Sequence, residues 1–301
     1  MGTEKLSFAG GTQFGLVEHL SDPSRLHHYS KLEKFSEQFV KLVGSWCTSA
    51  YAWPIDPVHH CFRIWEYPYV LVILEKLGLI GSKVLDVGSA TTFFPFFLAE
   101  NLGADIIALD PDRLHLYHFS ACARVVKRML RVNRLPRPVQ ASGERTGFPD
   151  NHFDAVYCIS VLEHVPNPEA IIGEMHRVLR PGGHMVLTAD VAYPVGSQSD
   201  GISLSALTNL LAQIEMLFGT RLPPLKFPDG LLTYSNSPAR DFSDPEILRK
   251  LRMEDIMSDP MIILRQLRRK IVGHTPRSGI IVNQTRKDLN LCVVGVVARK
   301  S

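Results

Sequence analysis

Residues 83–189 alternate short apolar runs of strand length with longer segments whose apolar residues recur at the helical period. The strand-like runs are 83–87, 105–109, 153–160 and 184–189, with a weaker one at 138–141. Strands that alternate with helices at this spacing predict βαβ units, because a crossover helix usually connects parallel strands. We therefore expect an α/β fold with a doubly wound parallel sheet, in which ligands bind beyond the carboxyl ends of the strands.

The composition is that of a globular chain with no strong charge. It has 301 residues, 45% of them hydrophobic, and 33 Lys and Arg against 30 Asp and Glu. A net charge of +3 is too small to predict nucleic acid as a partner. No apolar run approaches the roughly 20 residues of a membrane span, and the first residues lack the apolar segment of a secretory signal. Five scattered cysteines without CxxC spacing indicate free thiols in a reducing compartment. We expect a soluble, cytoplasmic protein.

Two acidic residues mark the ends of consecutive strands. Asp86 ends the first run and is followed by Gly88 at the turn into a helix, where glycine lets the backbone approach a ligand closely. The segment 88–93 (GSATTF) lacks the GxGxxG pattern, so it does not support a pyrophosphate site. An acid before the glycine suits a ligand with an amino group. Asp110 follows the second run, where a carboxylate can accept both hydroxyls of a ribose. Asp110 is alternatively a helix N-cap, a role that Asp112 could equally take.

The stretch 143–187 carries the most specific pattern. Its elements are Phe148-Pro149-Asp150-Asn151-x-Phe153-Asp154, Leu162-Glu163-His164-Val165 and Arg177-Val178-Leu179-Arg180-Pro181-Gly182-Gly183. In order and spacing they resemble the class I S-adenosylmethionine-dependent methyltransferases of the type 11 small-molecule branch. The resemblance covers roughly residues 83–190, with a plausible final hairpin formed by 279–283 and 289–298.

The resemblance implies a Rossmann-like, seven-stranded sheet of order 3-2-1-4-5-7-6 and S-adenosyl-L-methionine as the cofactor. Asp86 and Gly88 would meet the methionine end of the cofactor, and Asp110 would hold its ribose. Residues 142–144 would flank the adenine edge, and 159–160 would line the floor beneath the sulfonium. The implied cofactor-binding residues are Asp86, Gly88, Ser89, Ala90, Asp110, Pro111, Ser142, Gly143, Glu144, Ile159 and Ser160.

Three positions depart from the family pattern. Ala90 and Thr92 stand where relatives carry the second and third motif glycines, and Ser142 replaces the adenine-reading acid of many relatives. If position 90 needs a positive φ, alanine costs about 1 kcal/mol there. We expect cofactor binding to be retained; whether these three changes weaken it stays open.

Methyl transfer is an in-line displacement that depends mainly on proximity and alignment, so the family has no universal catalytic residue. An oxygen or nitrogen acceptor still needs a base, and His164 is the candidate, with a structural or pocket-wall role as the alternative. Glu163 is expected to be a capping or pocket carboxylate. Tyr67 and the pair His59-His60 are further pocket candidates. His115 and His118 have the spacing of metal ligands, but no third ligand follows, so no metal is predicted.

We predict an N-terminal helical cap at 1–80, a cofactor-binding domain at 81–190 and 279–301, and a helical insertion at 191–278 between strands 5 and 6 that acts as a substrate lid. The predicted function is methyl transfer to a small organic molecule. Two alternatives stay open. One is a non-catalytic or repurposed member of the same fold. The other is methylation of RNA or protein, based on basic stripes at 124–131 and 265–270. The sequence predicts neither the acceptor atom nor the oligomeric state.

Overall fold

The computed structural model describes residues 10–46, 58, 62–194, 201–238 and 291–301. Within these ranges the chain forms a single sheet with helices on both faces, together with two short 3-10 helices at Val17–Ser21 and Leu162–His164. In chain order the helices and strands are β1 (Gly10–Phe14), α1 (Pro23–Trp46), α2 (Arg63–Lys76), β2 (Lys83–Val87), α3 (Phe94–Leu102), β3 (Asp105–Asp110), α4 (His115–Met129), β4 (Arg137–Gln140), β5 (Phe153–Ile159), α5 (Pro168–Val178), β6 (Leu179–Ala192), α6 (Leu204–Phe218) and β7 (Leu291–Arg299).

The sheet has the order β4-β3-β2-β5-β6-β7-β1. Strands β2 to β6 are parallel to one another, whereas β7 is antiparallel to both β6 and β1. The predicted order 3-2-1-4-5-7-6 is confirmed, with β2 to β6 as its first five strands and β7 as the antiparallel one. The edge position beyond β7 is held by β1, which comes from the N-terminal segment. The strand predicted at 279–283 lies outside the described residues, as do the helices predicted near 245–256 and 260–272.

The sequence does not predict β1, because the strand has only five residues and two of them are glycines, which are poor strand formers. Its pairing with β7 is nevertheless regular, from Gly10 opposite Ala298 to Phe14 opposite Val294. The Phe14 ring also packs against Phe227, with 5.0 Å between ring centroids. Tertiary pairing along an open strand edge, rather than local propensity, therefore forms this strand.

A hydrophobic core lies on each face of the sheet. Helices α1 to α4 cover one core and α5 and α6 cover the other. Successive residues of β2 alternate between them, with Val84 in the first core and Leu85 in the second, as the two-residue period of a strand requires. The doubly wound architecture is thus confirmed. None of the helices in the described ranges is both long and apolar enough to cross a bilayer.

Helix α2 lies close against β7. A Cβ on Gly295 would come within 2.3 Å of Cε1 of Tyr69, so a glycine is needed for this approach. The Trp65 and Tyr69 rings stack at 4.6 Å, and Tyr67 stacks on Phe94 at 4.7 Å. This aromatic packing fixes α2 on the sheet. Tyr67, a pocket candidate from the sequence, is buried in this core.

Local signals set one boundary each of helices α3 and α5. Gly103 follows α3 in the left-handed region at φ 62°, which glycine adopts without strain. The Asn167 side chain caps α5 by accepting a hydrogen bond from the Ala170 amide at 3.3 Å. Because β2, β3, β4 and β5 are parallel, their carboxyl ends lie at one edge of the sheet.

Candidate cofactor and acceptor site

The turn after β2 is held against the end of β3. The amides of Gly88 and Ser89 both donate to the Leu109 carbonyl oxygen, at 2.9 and 3.0 Å. Gly88 has a φ of 74°, and a Cβ at this position would lie 2.4 Å from Cγ2 of Val161. Both the backbone conformation and the space therefore require glycine. Its predicted importance has a structural reason.

Ala90 adopts a positive φ of 44°, the conformation in which an alanine is strained at this position. An alanine in the left-handed region costs about 1 kcal/mol relative to glycine. Its amide donates to Oδ2 of Asp110 at 2.9 Å. The strained turn is thus tied directly to the carboxylate at the end of β3.

Asp110 uses both carboxylate oxygens to organise this edge. Oδ2 accepts from the Ala90 amide, and Oδ1 accepts from the Asp112 amide at 2.9 Å. Asp112 accepts in the same way from the Leu114 amide, at 3.0 Å, and neither acid is the N-cap of α4, which is Leu114. A carboxylate has about four acceptor positions, which leaves Asp110 able to accept two more donors. This capacity fits the two hydroxyls of a ribose. Pro111, between the two acids, is exposed.

Asp86 is 4% exposed and forms no ion pair within the part of the chain that the structure describes. Burial raises the pKa of its carboxyl well above the ordinary value; the nearby Tyr157 hydroxyl lowers it and the Asp110 carboxylate raises it further. No hydrogen bond of normal geometry joins Asp86 to Tyr157, whose hydroxyl is buried and unpaired. A buried carboxyl group without a cation fits a ligand ammonium such as that of the cofactor's methionine moiety.

Residues 142–144 form a tight turn beside the end of β2. A Cβ on Gly143 would come within 2.9 Å of the Val87 side chain, so the turn lies directly on that strand. The Ser142 hydroxyl accepts from the Glu144 amide at 3.2 Å, and both side chains are exposed. The structure therefore brings these residues to the edge where an adenine ring would lie. Their role in binding it stays a prediction.

A buried network, which the sequence analysis missed, lies at the ends of β5 and β6. The carboxylate of the fully buried Glu66 accepts hydrogen bonds at Oε1 from the hydroxyls of Ser160 and Thr188, each at 2.6 Å. Its Oε2 pairs with the Arg63 guanidinium, which also donates to the Ser160 hydroxyl. We call Arg63, Glu66, Ser160 and Thr188 the strand-end network. It joins helix α2 to two strands of the sheet.

Ser160, the predicted floor residue, lies in this network at a positive φ of 45°. Its amide donates to the Thr188 carbonyl oxygen at 3.0 Å, and its neighbour Ile159 ends β5, half-buried. The one signal in the sequence was Glu66 itself. A carboxylate among the aromatic residues of 65–69 predicts a buried charge, which needs partners from elsewhere in the chain.

Two further carboxyl groups adjoin the strand-end network. The Asp190 amide lies 3.4 Å from Oε1 of Glu163. The other oxygens, Oε2 of Glu163 and Oδ1 of Asp190, are buried and have no hydrogen-bond partner among the described residues. Burial raises the pKa of both carboxyls; Glu66 raises them further, whereas Arg63 lowers them. These side chains are able to accept or hold a proton at the strand ends.

His164 lies beside Glu163 on the short 3-10 helix, but its side chain is exposed. The catalytic role of His164 therefore stays a prediction. The carboxyl of its neighbour Glu163, by contrast, is buried. His59 and His60 lie outside the described residues. Nε2 of His115 donates to the Ala108 carbonyl oxygen at 3.0 Å, which gives this buried ring a structural role. Within the described ranges, no three His, Cys, Asp or Glu side chains are grouped to hold a metal ion.

Comparison with known proteins identifies the central part of the chain. The family model described as "Methyltransferase domain" matches residues 85–187. The chain is 32% identical over 163 residues to the ubiquinone biosynthesis O-methyltransferase of Xanthomonas oryzae pv. oryzae, covering 54% of this chain and 61% of that relative. It is 31% identical over 164 residues to the protein of the same name from Psychrobacter cryohalolentis, covering 50% of this chain and 61% of that one. The chain thus matches about three fifths of the length of these relatives.

Among solved structures, the fold is similar to that of the 4+2 cyclase SpnF. The TM-score is 0.53 at 19% sequence identity, and the match covers 87% of this chain and 94% of that one. At this identity the likeness concerns the fold alone. Residues 85–187 thus match a methyltransferase domain, and the strand order of the sheet is the one that the resemblance to class I methyltransferases implies. The cofactor of such a domain is S-adenosyl-L-methionine.

Proposed function

We propose that the protein transfers a methyl group from S-adenosyl-L-methionine to a hydroxyl oxygen of a small organic acceptor. The observation that carries this proposal is that two pairs of carboxyl groups lie at the same edge of the sheet. Asp86 and Asp110 stand at the ends of β2 and β3, and the unpaired carboxyls of Glu163 and Asp190 stand at the ends of β5 and β6. The O-methyltransferase names of the relatives support oxygen as the acceptor atom.

When bound, the cofactor supplies an electrophilic methyl group on a sulfonium. Asp86 would pair with its ammonium group and Asp110 would accept its ribose hydroxyls. Ser142, Gly143 and Glu144 would border its adenine. Ser160 and Ile159 would form the floor. These residues bind and orient, which is the main contribution of a protein to an in-line displacement.

An acceptor hydroxyl must lose its proton as its oxygen attacks the methyl carbon. Glu163 is the inward-facing group that could take this proton, because its Oε2 is buried and unpaired. Its raised pKa improves its match to a neutral operating pH. The exposed His164 is the competing candidate. Asp190 and Glu66 face Glu163 as negative groups and Arg63 as a positive one.

Isothermal titration with S-adenosyl-L-methionine tests the cofactor half of the proposal. We expect saturable binding to the wild-type chain, and affinities at least about tenfold lower for Asp86→Ala and Asp110→Ala, because each removes a charge-assisted contact. Absence of binding, or unchanged affinity in both variants, would overturn the assignment.

Formation of S-adenosylhomocysteine with a set of phenols, catechols and amines tests the transfer itself. We expect turnover with hydroxyl acceptors. The rate should rise with pH as Glu163 loses its proton, at a higher pH than an ordinary carboxyl would require. Glu163→Gln should remove this rise, whereas His164→Gln should keep it; the reverse result assigns the base to His164. Cofactor binding without turnover of any acceptor would favour the non-catalytic alternative.

A further inference from the structure

A cavity of about 140 Å³ lies between the 3-10 helix Val17–Ser21, α1 and α2. Its walls are mainly apolar and include Leu20, Leu26, Ile64, Trp65 and Pro68. An apolar cavity of about 150 Å³ is large enough to bind benzene. Leu26 is 44% exposed, so this wall of the cavity reaches the surface. The space therefore fits a single ring or a branched alkyl group of similar size.

Arg25 also lines this cavity, and its charge has no anionic partner. Nη2 donates to Oε1 of Gln13 at 2.9 Å, and the guanidinium carbon lies 5.3 Å from the centre of the Trp65 ring. Nη1 is buried without a hydrogen-bond partner, and no ion pair involves Arg25 in the described ranges. Burial lowers the pKa of this guanidinium, whereas Tyr69 and Asp22 raise it. A buried cation left in this state is costly unless an anion pairs with it.

The imidazole at the same cavity does not supply the missing partner. Nδ1 of His19 accepts hydrogen bonds from Nε1 of Trp65 at 3.0 Å and from the Leu16 amide at 3.2 Å. Burial, with a further effect from Arg25, lowers the pKa of His19 to about 4, so the ring is neutral at pH 7. Among the described residues that line this cavity, the cation left without an anion is the guanidinium of Arg25.

We propose that this cavity binds a small carboxylate with an aromatic or branched apolar body, whose carboxylate group pairs with the guanidinium of Arg25. The body of the ligand would pack against Trp65 and Pro68. The site is separate from the strand-end network, since α2 contributes Trp65 to the cavity and the neighbouring Glu66 to the network. The ligand is either a distinct effector or an acceptor that carries its own carboxylate. The chemistry of recognition is the same in both cases.

Titration of the full chain with benzoate tests the proposal, with benzyl alcohol as the neutral ligand of similar shape. We expect saturable benzoate binding and much weaker binding of benzyl alcohol. Arg25→Gln should weaken benzoate binding about 10- to 100-fold, the range for losing a charge-assisted contact. Arg25→Lys keeps the charge but not the planar fork, so an intermediate affinity is expected. Arg124→Gln, an exposed arginine on α4, is the matched control and should leave the affinity unchanged.

Leu26→Trp tests the same site without altering Arg25, because the larger side chain would fill the cavity and should abolish binding. Circular dichroism shows whether each variant is folded. The proposal is wrong if benzoate does not bind the wild-type chain at millimolar concentrations, or if folded Arg25→Gln and Leu26→Trp bind it as well as wild type. Competition between benzoate and a turned-over acceptor would identify an acceptor subsite; non-competitive effects, or binding by a chain without turnover, would identify an effector site.

Discussion

The two halves of the sheet edge are built in different ways. At the ends of β2 and β3 the polar contacts join residues close in the sequence: Asp110 is 20 residues from Ala90 and two from Asp112. At the ends of β5 and β6, Glu66 joins Ser160 and Thr188 across 94 and 122 residues. We call the ends of β2 and β3, where we propose that the cofactor binds, the cofactor half; it is a local product of consecutive βα units. We call the ends of β5 and β6, where we propose that the acceptor binds, the acceptor half; it forms only when a helix from outside those units docks on the sheet.

Because of this difference, we expect the two halves to respond differently to substitutions. The carboxylate of Asp110 is supported by backbone amides, which no substitution of a neighbouring side chain removes. The carboxylate of Glu66 is supported by a guanidinium and two hydroxyls, all from side chains. We expect single substitutions to affect folding most in the acceptor half and cofactor affinity most in the cofactor half.

Glu66→Ala is expected to have the largest effect on stability. It leaves the buried Arg63 without its anion and two hydroxyls without their acceptor, and breaking such a pair costs about 3–5 kcal/mol. Urea unfolding followed by circular dichroism measures the loss. Glu37→Ala, at an exposed position on α1, should stay within about 0.5 kcal/mol of wild type. Equal effects of the two substitutions would mean that α2 does not hold the strand ends.

Asp110→Asn should weaken binding of S-adenosyl-L-methionine by about 1.5–3 kcal/mol, because it removes the charge from the acceptor of the ribose hydroxyls. Asp112→Asn is the matched control, since Asp112 also accepts a backbone amide two residues away. Calorimetric titration of the two variants should separate them clearly. A weaker affinity for Asp112→Asn than for Asp110→Asn would assign the ribose hydroxyls to Asp112 and not to Asp110.

Ser160→Ala and Thr188→Val should each lower the free energy of unfolding by about 1–2 kcal/mol, because each removes one hydrogen bond to a buried carboxylate. Ser142→Ala removes a hydroxyl at the exposed turn of the cofactor half. It should change stability by less than about 0.5 kcal/mol. Urea unfolding of the three variants compares the halves directly, and a similar loss at all three positions would remove the distinction.

Ala90→Gly is expected to stabilise the chain by about 0.5–1 kcal/mol, because glycine adopts a positive φ without strain. Ala123→Gly, within helix α4, should change stability in the opposite direction by about 1 kcal/mol. Thermal and urea unfolding measure both. Destabilisation in both variants would show that the turn after β2 is not strained by its alanine.

Much of the fold was predictable because its signals are local. The short apolar runs of the strands, the glycine after α3 and the Asn167 cap all act within a few residues, so the central strands followed from them. The order of the strands came from the resemblance to the class I methyltransferases. Strand β1 was not predictable, since its residues favour no strand and only the open edge of β7 recruits them. The bounds of the predicted cap, domain and lid remain predictions.

The candidate site divides in the same way. Asp86, Gly88 and Asp110 were predicted because a strand end and the turn after it are neighbours in sequence. The partners of Glu66 were not, because nothing in the helix 63–76 tells which strands it will cover. The unpaired Arg25 was equally hidden, because its isolation depends on three segments packing around it.

The pairing of β1 with β7 means that β1 is synthesised long before the strand with which it pairs. Gly10 leaves the ribosome long before Ala298, its partner in the sheet. At synthesis rates of 5–20 residues per second the interval is about 15–60 s. During that time β1 has no strand to join. If β1 is then missing, β7 offers a row of unpaired backbone groups on an apolar strand, which is a template for aggregation. Removing the first 14 residues should therefore reduce the yield of monomeric protein before it reduces cofactor affinity.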